Sequence, residues 1–171
     1  MNSQQTLYRG RYLSLLEVDG WEYASRSNAS GVVVLTAVTP GNELVLVEQF
    51  RTPVNNHVIE LPAGLVGDTD DPDESLLTAA RRELLEETGF EAGNFEIMAS
   101  FPSSAGMSDE IITFVRARDL VRVSDGGGDN SEDIRVHLVP VGEVAGWLER
   151  LREQGTPSDP KIFSALYWLT N

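Results

Sequence analysis

Residues 82–89 read Arg82-Glu83-Leu84-Leu85-Glu86-Glu87-Thr88-Gly89. Glu83, Glu86 and Glu87 stand at i, i+3 and i+4, which share one face of a helix with ~3.6 residues per turn. Like charges at i,i+4 repel by roughly a few tenths of a kcal/mol. A bare acidic ridge therefore favours a cation, and hard oxygen donors suit Mg²⁺ or Mn²⁺. A solvated acidic face paired to arginines such as Arg81 and Arg82 accounts for these residues equally well.

The surroundings add weight to the metal. The predicted helix runs from Glu74 to Glu87, with Glu74 about two turns before Arg82. Leu77, Ala80 and Leu84 give it a buried stripe, and Gly89 is a stop signal. Upstream, Glu60-Leu61-Pro62-Ala63-Gly64 reads as a strand end breaking into a Pro/Gly loop.

These residues resemble the Nudix box, Gly-x(n)-Glu-x7-Arg-Glu-hydrophobic-x-Glu-Glu-x-Gly-hydrophobic. Here Gly64, Glu74, Arg82, Glu83, Leu84, Glu86, Glu87, Gly89 and Phe90 carry it. The family's spacing between the first glycine and the first glutamate is shorter. Nine residues, Leu65 to Asp73, intervene here, and the surplus falls in the loop-forming run Gly67 to Asp73. Taking Gly67 as the first glycine forfeits the match over Leu61-Pro62-Ala63-Gly64.

The chain has 171 residues, enough for one domain with a real core. No apolar run approaches the ~18 residues of a membrane span. Met1-Asn2-Ser3-Gln4-Gln5 lacks the basic and apolar signature of a signal peptide, so a cytoplasmic protein is expected. Cysteine is absent, which excludes disulfides and thiolate metal sites. A formal charge of −14 argues against binding nucleic-acid backbone. An anionic small molecule still binds where a metal and a few arginines reverse the local field.

Strands are predicted over Leu7 to Val18 and Trp21 to Arg26, joined as a hairpin by Asp19-Gly20. More follow at Gly31 to Val38, Glu43 to Phe50, His57 to Leu61, Phe95 to Phe101, Ile111 to Arg118 and Ile134 to Pro140. Helices are predicted at Val144 to Arg152 and Lys161 to Leu169. Gly126-Gly127-Gly128 reads as a flexible loop, since no Lys-Ser/Thr helix follows to make a phosphate cradle. The lone histidines His57 and His137 and the methionines Met98 and Met107 read as structural. The class is α+β (mixed α/β). The resemblance implies the Nudix α/β/α sandwich over 31–171, preceded by a dimerising hairpin over 1–30.

The resemblance also implies roles. Residues matching Glu83, Glu86 and Glu87 ligate Mg²⁺ or Mn²⁺ in the family, with the carbonyl matching Ala63. Arg82 and Glu74 match bracing positions, and Arg82 reaches Glu86 at i,i+4 to orient it. Trp21-Glu22 with Arg26, Val47-Glu48-Gln49-Phe50-Arg51 and Glu60 to Gly64 resemble the branch that hydrolyses ADP-ribose and nucleoside diphosphate sugars. Substrate contacts are expected from Arg51, Trp21, Glu22 and Glu60. The arginine fork of Arg51 suits a diphosphate, and an ion pair is its alternative. Similar enzymes dimerise through their N-terminal region, so Trp21 is expected to stack on a nucleobase, in its own or the partner's site.

Ala105 stands where ADP-ribose hydrolases carry a proline, which leaves that loop less restrained. Two loop acids, Glu110 and Glu132, are candidates for activating water, with Arg82 and Glu86 completing the catalytic group. A GDP-sugar or dinucleoside polyphosphate is the alternative substrate. A nucleotide sensor that does not hydrolyse is the alternative of another class, though such a sensor has no need of every carboxylate kept here.

Overall fold

The computed structural model describes residues 3–68, 71–128 and 133–170. Among the described residues, ten strands and three α-helices follow one another. Strand β4 (Gly31–Ala37) shows how they form layers. Its side chains alternate between two apolar clusters, as the period of two in a strand requires. Val33 and Leu35 meet Ala79, Ala80 and Leu84 of helix α1 (Leu76–Thr88) on one face. Val34 meets Val144 and Leu148 of α2 (Val144–Glu153) and Ile162 and Ala165 of α3 (Lys161–Thr170) on the other. The expected helix–sheet–helix sandwich is therefore present.

Between the helices lie two sheets. One has the order β7-β4-β9-β8, where β7 is Ala63–Val66, β8 Phe90–Pro102 and β9 Ile111–Arg122. In it β4 and β9 run parallel, with Val34 opposite Phe114. The other has the order β10-β5-β6, where β5 is Glu43–Arg51, β6 Asn56–Glu60 and β10 Arg135–Pro140. A third sheet, β1-β2-β3, is N-terminal (Gln5–Arg9, Leu13–Val18 and Trp21–Arg26).

The structure corrects several expectations. The first predicted strand is two strands, because Gly10 turns the chain and its amide donates to the Leu13 carbonyl at 2.8 Å. The expected hairpin is thus a three-stranded sheet, although the Asp19-Gly20 turn stands, both residues having positive φ. Glu74 precedes α1, because Ser75 caps the helix by accepting from the Thr78 amide. Ala63-Gly64 opens a strand, β7, that pairs with β4. Strand β8 begins immediately after Gly89, five residues earlier than expected, with polar Glu91 and Asn94 hiding its start. Met107 is 71% exposed and packs no core.

Candidate active site

The acidic ridge is mostly buried. Glu83 and Glu87 are 8% and 2% exposed, while Glu86 faces solvent. Arg82 gathers the site's carboxylates. Its Nε donates to Glu74 Oε1 at 3.0 Å, and its Nη1 donates to Glu83 Oε1 at 2.7 Å and to Glu86 Oε2 at 3.2 Å. Its Nη2 reaches the Leu65 carbonyl at 3.0 Å, tying the helix to β7. The Arg82 hydrogen bond holds the Glu74 carboxyl below its ordinary pKa, helped by the Gly67 amide. Glu74 in turn holds the guanidinium above its ordinary value. Burial pushes the Glu83 carboxyl up to about 7, against the pull of Arg82.

Strand β7 supplies the opposite wall. A Cβ on Gly64 would stand 1.8 Å from Glu83 Cδ, so the carboxylate lies directly on that glycine. This supports Gly64, rather than Gly67, as the first glycine of the box. Beside it the Ala63 amide donates to Glu87 Oε2 at 3.0 Å.

In front of these residues opens a cleft of about 340 Å³. Of the expected site residues, Glu83, Ala63, Glu60, Arg51 and Glu110 line it, with Gly64 beside them, while Arg82, Glu86 and Glu87 do not. Arg51 is paired: its Nε donates to Glu60 Oε2 at 2.6 Å. Glu110 accepts from both Nε and Nη2 of Arg26 at 3.1 Å. Strand β3 thereby joins the cleft, and it also meets the 103–110 turn through an Ala24 amide bond to the Met107 carbonyl at 2.8 Å.

Trp21 and Glu22 sit at the turn end of β3, exposed and outside the cleft lining. Four to five residues separate them from Arg26, roughly 15 Å along a strand. Glu132 lies outside the described residues. Arg26, which stands within the resembling run without an expected role, lines the cleft, as do Lys161 and Asp68, which were not expected there. Lys161 pairs with Asp159, and no sequence pattern marked it.

The two histidines bracket one carboxylate instead of forming a site. His137 Nε2 lies 2.8 Å from Glu48 Oε2, and His57 Nδ1 lies 3.6 Å from Glu48 Oε1.

The donors suit a hard cation: three carboxylates from one helical turn beside the backbone of Ala63, all oxygen chemistry. Burial of Glu83 against a glycine that leaves room only for a carboxylate fits such a group. Among the described residues no three acidic or histidine side chains converge on one point as they stand. Glu83 is turned to Arg82, and Glu87 to the Ala63 amide.

A methanol dehydrogenase activator of Bacillus methanolicus is 31% identical over 156 residues, which is 86% of this chain and 82% of that one. An ADP-ribose pyrophosphatase of Bacillus subtilis is 36% identical over 90 residues, 53% of this chain, and this chain spans only 46% of its length. In fold, a solved ADP compounds hydrolase superposes with a TM-score of 0.74 at 23% identity, over 98% of this chain and 90% of that one. The NUDIX domain model matches residues 27–166, and the chain belongs to the Nudix family.

Proposed function

We propose that the protein is a Mg²⁺-dependent pyrophosphatase of ADP-ribose or a related nucleoside diphosphate sugar, releasing a nucleoside monophosphate and a sugar phosphate. The observation that carries this is Glu83, which shares its helix face with Glu86 and Glu87 and lines a cleft that Arg26 and Arg51 also line. Relatives named for ADP-ribose hydrolysis and for ADP compounds support the substrate class. Nudix hydrolases use divalent metal cations; Mn²⁺ is the alternative to Mg²⁺. A bound cation offsets diphosphate charge and makes water a better nucleophile.

The chain's own residues do the rest. Glu83, Glu86 and Glu87, with the Ala63 carbonyl, hold the cation, and Arg82 orients Glu83 and Glu86. Arg51 binds the diphosphate, with Glu60 setting its fork. Glu110 takes a proton from the attacking water as the new P–O bond forms and the bridging P–O bond breaks; Glu132 is the alternative base. Trp21 and Glu22 contribute through a second copy. Their position outside the cleft, with exposed Leu7, Tyr8, Tyr12 and Leu13 nearby in sequence, supports a homodimer built on residues 1–30. Residues 31–171 form the hydrolase domain, and the family match likewise begins at residue 27. No helix among the described residues is long and apolar enough to cross a membrane, and a cytoplasmic setting completes the proposal.

A hydrolysis screen over ADP-ribose, GDP-sugars and dinucleoside polyphosphates with Mg²⁺ tests this reading. Preferred cleavage of a nucleoside diphosphate sugar is expected, and inactivity on every diphosphate would refute it.

A further inference from the structure

The run Gly126-Gly127-Gly128 has no place in the cleft chemistry, and the structure gives it a different one. All three glycines have positive φ, at 68°, 108° and 80°. A helix leaves its last four carbonyls without internal donors. In α1 these include the carbonyls of Glu86 and Glu87. The Gly127 amide donates to the Glu87 carbonyl at 2.9 Å, and the Gly128 amide to the Glu86 carbonyl at 3.0 Å. The Val123 and Ser124 amides both donate to the Gly89 carbonyl, at 2.9 and 3.2 Å.

The approach is too close for side chains. A Cβ on Gly126 would lie 2.4 Å from the Thr88 carbonyl carbon, and one on Gly89 would lie 2.2 Å from the Ser124 oxygen. Arg122 braces the loop from outside, its Nε donating to the Ser124 carbonyl at 3.2 Å. The glycine loop thus grips the last turn of α1 through the carbonyls of Glu86 and Glu87, the two residues whose side chains form the end of the acidic ridge.

We propose that Gly126, Gly127 and Gly128 are positioning residues for the metal ligands, and that the glycine loop and the cation site are energetically coupled. This rests on the reading that Glu86 and Glu87 hold a divalent cation. The cation fixes the side chains and the loop fixes the carbonyls of the same two residues. Order imposed by either favours the other, and such coupling is reciprocal.

Amide exchange in the intact protein, read by NMR with and without Mg²⁺, tests the coupling without any turnover. The Gly127 and Gly128 amides are expected to exchange about tenfold more slowly with Mg²⁺. The Asn42 amide, bonded in a remote turn to the Thr39 carbonyl, should not change. Mn²⁺ titration followed by electron paramagnetic resonance provides the second readout. Gly126→Ala should weaken Mn²⁺ binding about tenfold. Gly155→Ala is the strain control, because it has the same left-handed backbone but nothing within 4 Å of the added carbon; it should not alter Mn²⁺ binding. If Gly126→Ala does not fold, the wild-type exchange data decide. Wild-type protein that binds Mn²⁺ with unchanged Gly127 and Gly128 exchange would overturn the coupling alone. Wild-type protein that binds neither cation would overturn the metal reading as well.

Discussion

Glu83 concentrates the physics of the site at the scale of one residue. Its carboxyl is pushed up to about 7 by burial, while in the unfolded chain it ionises near its ordinary 4.5. Between those values the folded state keeps a proton that the unfolded state has lost. Stability therefore falls as pH rises through this window and levels off above 7. The total is on the order of 3 kcal/mol at ~1.4 kcal/mol per pH unit. A divalent cation binds the ionised form, so its stabilisation must grow over the same window. Thermal melts with and without Mg²⁺ should show a larger shift at pH 8 than at pH 5.5. Equal shifts at both values would remove Glu83 from the ligand set.

The cleft arginine and the two loop acids separate binding from chemistry. Removing a charge-assisted contact typically costs about 1.5–3 kcal/mol. Arg51→Ala should thus raise KM by roughly ten- to a hundredfold, with kcat little changed if the contact is uniform. Glu110→Gln should lower kcat by ~10²–10⁴ as loss of a general base. Glu132→Gln run alongside decides between the acids: a large kcat loss there with Glu110→Gln near normal transfers the role.

Among the elements, helix α1 was the most legible. Its carboxylate spacing, apolar stripe and Gly89 stop all survive in the structure, because each is local to one helix. Its start was misread because Glu74 belongs to the Arg82 cluster, a tertiary contact, while the cap is the ordinary Ser75. Ser75→Ala should lower stability by about 1 kcal/mol, measured by denaturant unfolding, with little change in kcat. Strand β7 was hidden by its Pro-Ala-Gly approach; it forms because β4 offers it an antiparallel partner. The glycine loop read as flexible because glycine marks freedom in sequence, while here its missing side chains permit contact. The Arg26–Glu110 ion pair joins residues 84 positions apart, the Arg51–Glu60 pair bridges the neighbouring strands β5 and β6, and no local pattern announces either.

Across the whole molecule, the N-terminal sheet presents exposed Tyr8 and Trp21, and its β1–β2 turn Tyr12, at 67%, 63% and 51%. Yet β3 also sends Arg26 into the cleft. Assembly and activity should therefore fail together. Deleting residues 1–26 is expected to give a monomer or an insoluble chain without substrate affinity. Light scattering that shows the full-length protein monomeric at micromolar concentration would end the shared-site idea.

The protein's proposed activity rests on the ridge of α1 holding a divalent cation for hydrolysis of a nucleoside diphosphate sugar. Glu86 gives the cleanest test, because its side chain is 46% exposed and its change to glutamine opens no core cavity. ADP-ribose with Mg²⁺ should be followed by ³¹P NMR for wild-type protein and Glu86→Gln, with a thermal melt of each. Wild-type protein should yield AMP and ribose 5-phosphate, while Glu86→Gln should melt normally and turn over at least about a hundredfold more slowly, as expected for removal of a charge that acts in the transition state. A folded Glu86→Gln protein with wild-type turnover would contradict the proposal.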